Sequence, residues 1–332
     1  MFDLIIIGSG PAGLAASIYA SRYHLKHLIL GFELGGTISW AHKVDNYPGL
    51  PGLSGKDLAQ KFIDHAKSMG GELQQKQISQ IEKTTEGFKV STDNGKSYET
   101  KAVILATGTK RRELGVPGEK ELVGKGVSYC PTCDAPFYND KTVVIVGGAN
   151  AACSGAVHLA KFAKKVYLLY RKNQLRAEPS WLKEIEKTEN ITVVYETNIK
   201  TILSNVQVAG SEEFKAQSAR LKATAQSLKL EDKREQVAMV ELDKEFSGSK
   251  FLATDGVFVE IGGVPATQLA ASLAIKMDNT GYIETNDYLE TNVKGIYCVG
   301  DCGSHWKEVQ QVITATAEGA VAAYSVYKQL HQ

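Results

Sequence analysis

The chain has 332 residues, 43% hydrophobic and 23% charged, which fits a soluble globular protein long enough for two domains. Its 38 basic and 37 acidic residues leave a formal net charge of +1, so there is no broad electrostatic case for nucleic acid or an anionic membrane surface as partner. No stretch approaches the ~18 apolar residues of a membrane span. Five cysteines is an odd count without the dense spacing of a secreted disulfide framework, so a reducing, cytoplasmic setting is expected.

The opening "MFDLIIIGSG" reads as a first strand and not as a signal peptide, because its apolar run is short and no basic segment precedes it. "GSGPAG" follows with Gly8, Gly10 and Gly13, then "LAASIYASRYHL" as a helix with small residues on one face, then a second strand near Leu28–Leu30. Strand, glycine turn, helix and strand together predict a dinucleotide site. Gly8 permits the tight turn, Gly10 lets a pyrophosphate approach the backbone, and Gly13 lets helix and strand pack. The helix amino terminus then faces the phosphates with its partial positive charge.

In the middle of the chain, "SYCPTCDAPF" holds Cys130 and Cys133 three positions apart, followed by Asp134. A metal knuckle, a structural disulfide and a redox centre all fit the pair alone. As a redox centre, two thiols on one turn carry two electrons by closing and opening a disulfide, and Asp134 stands where a proton shuttle would. As a zinc site, Cys298 and Cys302 would have to join them to make four sulfurs. Cys153 reads as packing.

The first pattern recurs in "KTVVIVGGANAACSGAVHLAKFAKKVYLLYRK", with Gly147, Ala149 and Ala152 at the three fingerprint positions. Ala149 stands where backbone should come close to phosphate. Arg171, Lys172 and Arg176 follow the second strand, where cations favour the extra phosphate of NADP over the bare ribose of NAD. Near the carboxyl end, "GIYCVGDC" is an apolar strand running into Gly300–Asp301, with a long helix from about Val309. A carboxylate there suits a ribityl hydroxyl, and the helix amino terminus suits charge on a reduced flavin. Two such units around a cysteine pair suggest a two-dinucleotide flavoprotein.

With these residues in place, the chain resembles the low-molecular-weight thioredoxin reductases along nearly its whole length. The landmarks are "GSGPAG", "GFELGGTI", "VDNYPG", "ILATG", "YCPTCDAPFY", the second glycine turn, "TDGVFVEIGGVP" and "GIYCVGDC". The resemblance implies an α/β fold of two Rossmann-like dinucleotide-binding domains, the second inserted in the first. An FAD domain would span 1–114 and 252–332, and an NAD(P)H domain carrying the CxxC would span 115–251. The crossings would fall near Leu114–Gly118 and Phe251–Asp255. For FAD it implies Gly8, Gly10, Pro11, Ala12, Gly13, Glu33, Gly35, Gly36, Thr37, Asn46, Thr107, Gly108, Gly300, Asp301, Gln311 and Val312. For NADPH it implies Gly147, Gly148, Ala149, Asn150, Ala151, Arg171, Lys172 and Arg176. Cys133 would meet the flavin, Cys130 would attack the partner's disulfide, and Asp134 would be the acid. The resemblance also implies a homodimer and thioredoxin, or a thioredoxin-like protein, as partner.

Three departures from the family pattern stand out. Tyr170-Arg171-Lys172 and Arg176 replace the usual His-Arg-Arg and Arg, which leaves a deazaflavin or ferredoxin donor as an alternative to NADPH. Gln310-Gln311 stands where Arg-Gln is usual, so a cation is missing. The stretch from about Val206 to Lys250 exceeds the usual hairpin, and Phe214, Leu221, Ala225 and Leu228 within it have helical spacing. A reductase of a peroxiredoxin system is a nearer rival, though its relatives carry an extra amino-terminal region. A zinc-binding CxxC protein is the distant one. Lys110, Arg111 and Arg112 are expected in a solvated turn at the crossing.

Overall fold

The computed structural model describes residues 1–41, 43–211 and 234–331. The chain folds as two compact units, Met1–Lys110 with Val264–Gln332, and Arg111–Gly263. It builds the first unit from β1 (Phe2–Ile7), α1 (Pro11–Arg22), β2 (His27–Gly31), α2 (Gly55–Ser68), β3 (Glu72–Gln75), β4 (Ile78–Lys83), β5 (Phe88–Thr92) and β6 (Ser97–Leu105). It leaves through β7 (Thr109–Arg111) and builds the second from β8 (Val127–Ser128), α3 (Pro131–Asp134), β9 (Thr142–Val146), α4 (Asn150–Leu159), β10 (Lys165–Tyr170), α5 (Pro179–Lys187) and β11 (Ile191–Tyr195). β12 (Ile199–Ser204), α6 (Asn205–Gly210), β13 (Val237–Phe246), β14 (Ser249–Ala253) and β15 (Gly256–Val259) complete it. β16 (Gly263–Pro265) pairs with β7, and β17 (Ile296–Cys298) and α7 (Val312–Leu330) finish the first unit.

In the first unit a sheet runs β3-β2-β1-β6-β5-β4, with β17 also pairing with β6. Its centre is parallel: Leu4 lies opposite His27 on one side and Ala102 on the other. Such strands are covered on both faces, which is why Leu4 to Ile7 reads as an unbroken apolar run and why all four side chains are buried. α1 and α7 pack closely, and glycine allows it. A methyl group on Gly319 would lie 2.1 Å from the Ala12 carbonyl oxygen.

The second unit has a parallel sheet β11-β10-β9-β15-β8 and a three-stranded antiparallel sheet β12-β13-β14. The fold class is therefore α/β with two Rossmann-like units, the second inserted in the first, as the sequence predicts. The passages between units lie elsewhere than expected. Leu114 and Val116 pack into the second unit's core, and β15 pairs with β9 and β8, so the return comes after β15 instead of at Phe251–Asp255. The buried Glu119 carboxylate fixes the entry by accepting hydrogen bonds from the Leu114 and Gly115 amides and the Tyr129 hydroxyl, at 2.8, 2.7 and 2.9 Å. Arg111 is not in a merely solvated turn, since its guanidinium lies 5.9 Å from the centre of the Tyr129 ring. Phe214, Leu221, Ala225 and Leu228 lie outside the described residues. No helix among the described residues is long and apolar enough to cross a membrane.

Candidate active site and nucleotide-binding turns

Cys130 and Cys133 are joined as a disulfide with their Cα atoms 5.3 Å apart. The one-turn helix α3 creates this spacing. Pro131 opens it, and the Cys133 amide donates to the Cys130 carbonyl and to Cys130 Sγ at 3.1 and 3.2 Å. That donor stabilises negative charge on Cys130 Sγ once the bond opens, which is what an attacking thiolate requires. Ser128 Oγ accepts from the Cys130 amide at 3.0 Å and holds the approach to the turn. Pro131 seats against α4, where a methyl group on Gly155 would lie 3.0 Å from its ring. Cys133 is exposed, while Cys130 and Asp134 are half-buried on the same turn.

The other cysteines are thiols. Cys153 is buried on α4, and burial pushes its pKa up to about 12, so its place in packing holds. Cys298 and Cys302 are buried in the first unit with their sulfurs 3.3 Å apart, and burial pushes the Cys298 thiol up. Among the described residues no group of three or more His, Cys, Asp or Glu could hold a metal ion.

The first glycine turn divides its glycines by function. Methyl groups on Gly8 and Gly13 would lie 2.0 Å from the Ala106 and Gly8 carbonyl oxygens, so both are required by packing. A methyl group on Gly10 would meet no protein atom nearer than 3.8 Å. No protein atom crowds that position, which lies beside a helix whose first turn, Pro11, Ala12 and Gly13, is capped by no side chain. This is the cradle a pyrophosphate needs. Gly36 faces it, with the Gly10 Cα 3.0 Å from a methyl placed there, and Thr37 continues the same 3-10 turn. Gly35 donates to the Ser9 carbonyl at 3.0 Å, and the Glu33 carbonyl accepts from Ser9 Oγ at the same distance, which leaves the Glu33 side chain exposed.

Residues far apart in sequence meet around the same unit. Asn46 Nδ2 donates to Gln311 Oε1 at 2.9 Å across 265 positions, just ahead of Val312 at the start of α7. Thr107 Oγ1 and the Ala266 amide close the Thr107–Gly108 turn, donating to the Ala266 and Gly108 carbonyls at 2.7 and 2.9 Å. A pocket is lined by Gly300, Asp301, Trp306, Lys307, Gln310 and Glu318 among others. The missing cation at Gln310 has a neighbour here. Lys307 lines the pocket and is held by Asp278 at 2.7 Å, while Gln310 donates to the Asp301 carbonyl at 3.3 Å. Lys307 and Glu318 had no signal in the sequence, because neither stands in a motif.

The second glycine turn shows why its fingerprint is altered. Gly148 lies under the Tyr170 ring, and a methyl group there would be 2.3 Å from it. Arg176 returns to the turn, donating from Nε to the Tyr170 hydroxyl at 2.9 Å and from its amide to the Gly148 carbonyl at 2.6 Å. The tyrosine that replaces histidine is thus the platform on which the turn and Arg176 rest. Ala149 caps α4 in extended backbone and Ala151 follows in its first turn. Asn150 pairs with Glu178, donating from Nδ2 at 3.0 Å and accepting at 2.8 Å. Arg171, Lys172 and Arg176 are all exposed.

Burial raises three carboxyl groups: Asp301 to about 6, Glu260 to about 7 against the opposing pull of Arg111, and Glu318 to about 7 against donation from the Gly300 amide. Each folded value lies above the unfolded one, so the folded chain holds extra protons and loses stability as pH rises through the window from about 4 to about 7. For Glu318 the rise from 4.5 to about 7 corresponds to on the order of 3 kcal/mol. Thermal melts of the cofactor-free chain at pH 5 and pH 8 should therefore show a smaller loss in Glu318→Gln than in the wild type. Equal losses would remove Glu318 from this titration.

The chain matches the model for the pyridine nucleotide-disulphide oxidoreductases over residues 2–319. It is 38% identical to a thioredoxin reductase of Peptoclostridium litorale, covering 100% of this chain and 98% of that one. A thioredoxin reductase of Bacillus subtilis is 36% identical, with 98% and 94% covered. Among solved structures, thioredoxin reductases of Lactococcus lactis and T. acidophilum superpose with a TM-score of 0.85 each, at 29% and 30% identity. They cover 99% and 100% of this chain, and 98% and 99% of their own. The chain belongs to the pyridine nucleotide-disulphide oxidoreductase family, and its fold is that of the thioredoxin reductases.

Proposed function

We propose that the chain is an FAD-dependent thioredoxin-disulfide reductase, with FAD and NADPH as cofactors and thioredoxin as the protein it reduces. The carrying observation is the Cys130–Cys133 disulfide on a one-turn helix, in a chain that also contains two strand-glycine-helix turns. In the first unit, Gly10 and the start of α1 would hold the pyrophosphate of FAD, and Asp301 and the start of α7 would hold the rest of it. In the second unit, Arg171, Lys172 and Arg176 would hold the 2′-phosphate of NADPH. Bound FAD supplies the two-electron relay between nicotinamide and disulfide.

The residues of the chain do the exchange. The opened pair presents Cys130 as the attacking thiolate, held by the Cys133 amide, and it forms a mixed disulfide with one sulfur of thioredoxin. Cys133 then displaces thioredoxin as its dithiol and restores the Cys130–Cys133 bond. Asp134 gives the departing sulfur its proton. The same reading makes the protein a homodimer, by family resemblance, and cytoplasmic, which the three free thiols suit.

The test follows flavin bleaching in a stopped-flow cell with NADPH, NADH, reduced deazaflavin and reduced ferredoxin as donors. NADPH should be fastest. Each charge-assisted contact is worth roughly 1.5–3 kcal/mol, so replacing Arg171 and Arg176 by alanine should erode the preference for NADPH over NADH at least tenfold. Equal, slow reduction by both nicotinamides would overturn the assignment of the donor.

A further inference from the structure

Glu318 lies on α7 with its side chain in the protein interior, only 5% exposed. No sequence motif contains it. Its carboxylate accepts a hydrogen bond from the Gly300 amide, 18 positions away. Gly300 has φ +71, a left-handed conformation, and the next residue is Asp301. Both carboxyl groups line the same pocket. The turn carrying Asp301 is thus bolted to α7 from inside, at a point one helical turn beyond Ala315, whose methyl group lies 3.8 Å from where a Gly300 methyl would be. A buried carboxylate is costly to keep unless its hydrogen bond does something that an apolar residue would not.

We propose that Glu318 is a positioning residue for FAD. By holding the Gly300 amide, it fixes the left-handed turn and so the direction in which Asp301 meets the bound flavin nucleotide. This rests on the reading that the first unit binds FAD. The role belongs to the acceptor oxygen and not to the charge, so glutamine can replace it. Alanine, which has no acceptor, and aspartate, which is one methylene too short to reach, cannot.

The test is equilibrium binding of FAD, read by flavin fluorescence, to the full chain and to Glu318→Gln, Glu318→Ala, Glu318→Asp and Asp301→Ala. Glu318→Ala and Glu318→Asp should each weaken FAD at least tenfold, with a shifted bound-flavin absorption spectrum. Glu318→Gln should stay within threefold of the wild type. In the Asp301→Ala background, Glu318→Ala should cost less than threefold more, because its effect passes through Asp301. Additive losses in that pair would show a merely structural role and overturn the proposal, as would wild-type binding by Glu318→Ala. If Glu318→Ala does not fold, the aspartate and glutamine variants decide the question. Equal weakening of both would overturn the acceptor role. If the wild type itself fails to bind FAD, the flavin reading falls first, and Glu318 with it.

Discussion

Changing either cysteine of the pair to serine should cost at least ~10³-fold in the reduction of a protein disulfide, the scale on which a covalent nucleophile is lost. Both variants should still take electrons from NADPH into FAD, since that transfer needs no cysteine. The two should then differ. Cys133→Ser leaves Cys130, whose sulfur is held by the Cys133-position amide, and should trap thioredoxin as a mixed disulfide that nothing resolves. If Cys133 meets the flavin, as the family resemblance implies, Cys130→Ser should show a long-wavelength charge-transfer band that fades as pH falls through the thiol's pKa. Mass spectrometry of the trapped complex and absorption spectra read the two arms. The reverse pattern would exchange the roles of the sulfurs. Full turnover in both variants would remove the pair from the mechanism.

The second large effect separates two glycines three positions apart. Gly13→Ala would put a methyl group 2.0 Å from the Gly8 carbonyl oxygen, so helix and strand would have to move apart. The expected loss of stability is about 3 kcal/mol or more, at the upper end for overpacking. Gly10→Ala meets nothing closer than 3.8 Å, and its φ of −79° suits any residue. The folded chain should therefore tolerate it, with a change within about 0.5 kcal/mol. Its cost should fall on the nucleotide, as a loss of FAD affinity of roughly a hundredfold, equivalent to about 3 kcal/mol. Denaturant melts of the cofactor-free proteins and FAD titrations test the two halves separately. Equal destabilisation by both substitutions would mean that the turn is only a packing device.

What was legible in the sequence was local. An apolar run ending in a glycine turn specifies strand, turn and helix within about twenty residues, so both Rossmann-like units could be placed. The Cys130–Cys133 spacing also contains its own geometry, because one helical turn brings the two sulfurs together. Legibility ended where tertiary packing took over. Nothing in "GVFV" itself says that β15 pairs with β9 and belongs to the second unit. Asn46 and Gln311 are joined only by the completed fold, so resemblance alone could name them. Glu318 is one acid in a helix, and its meaning comes from a glycine amide in another element. In the sequence Tyr170 reads only as a replaced histidine, whereas in the fold its ring covers Gly148.

One measurement bears most directly on the account: mixing the FAD-loaded chain with NADPH and oxidised thioredoxin, and following nicotinamide oxidation together with the thiols that appear on thioredoxin. The account predicts catalytic turnover with one thioredoxin dithiol formed for each NADPH oxidised, lost in Cys130→Ser and Cys133→Ser. NADPH oxidation without new thioredoxin thiols, or thiols formed equally well by the cysteine variants, would contradict it.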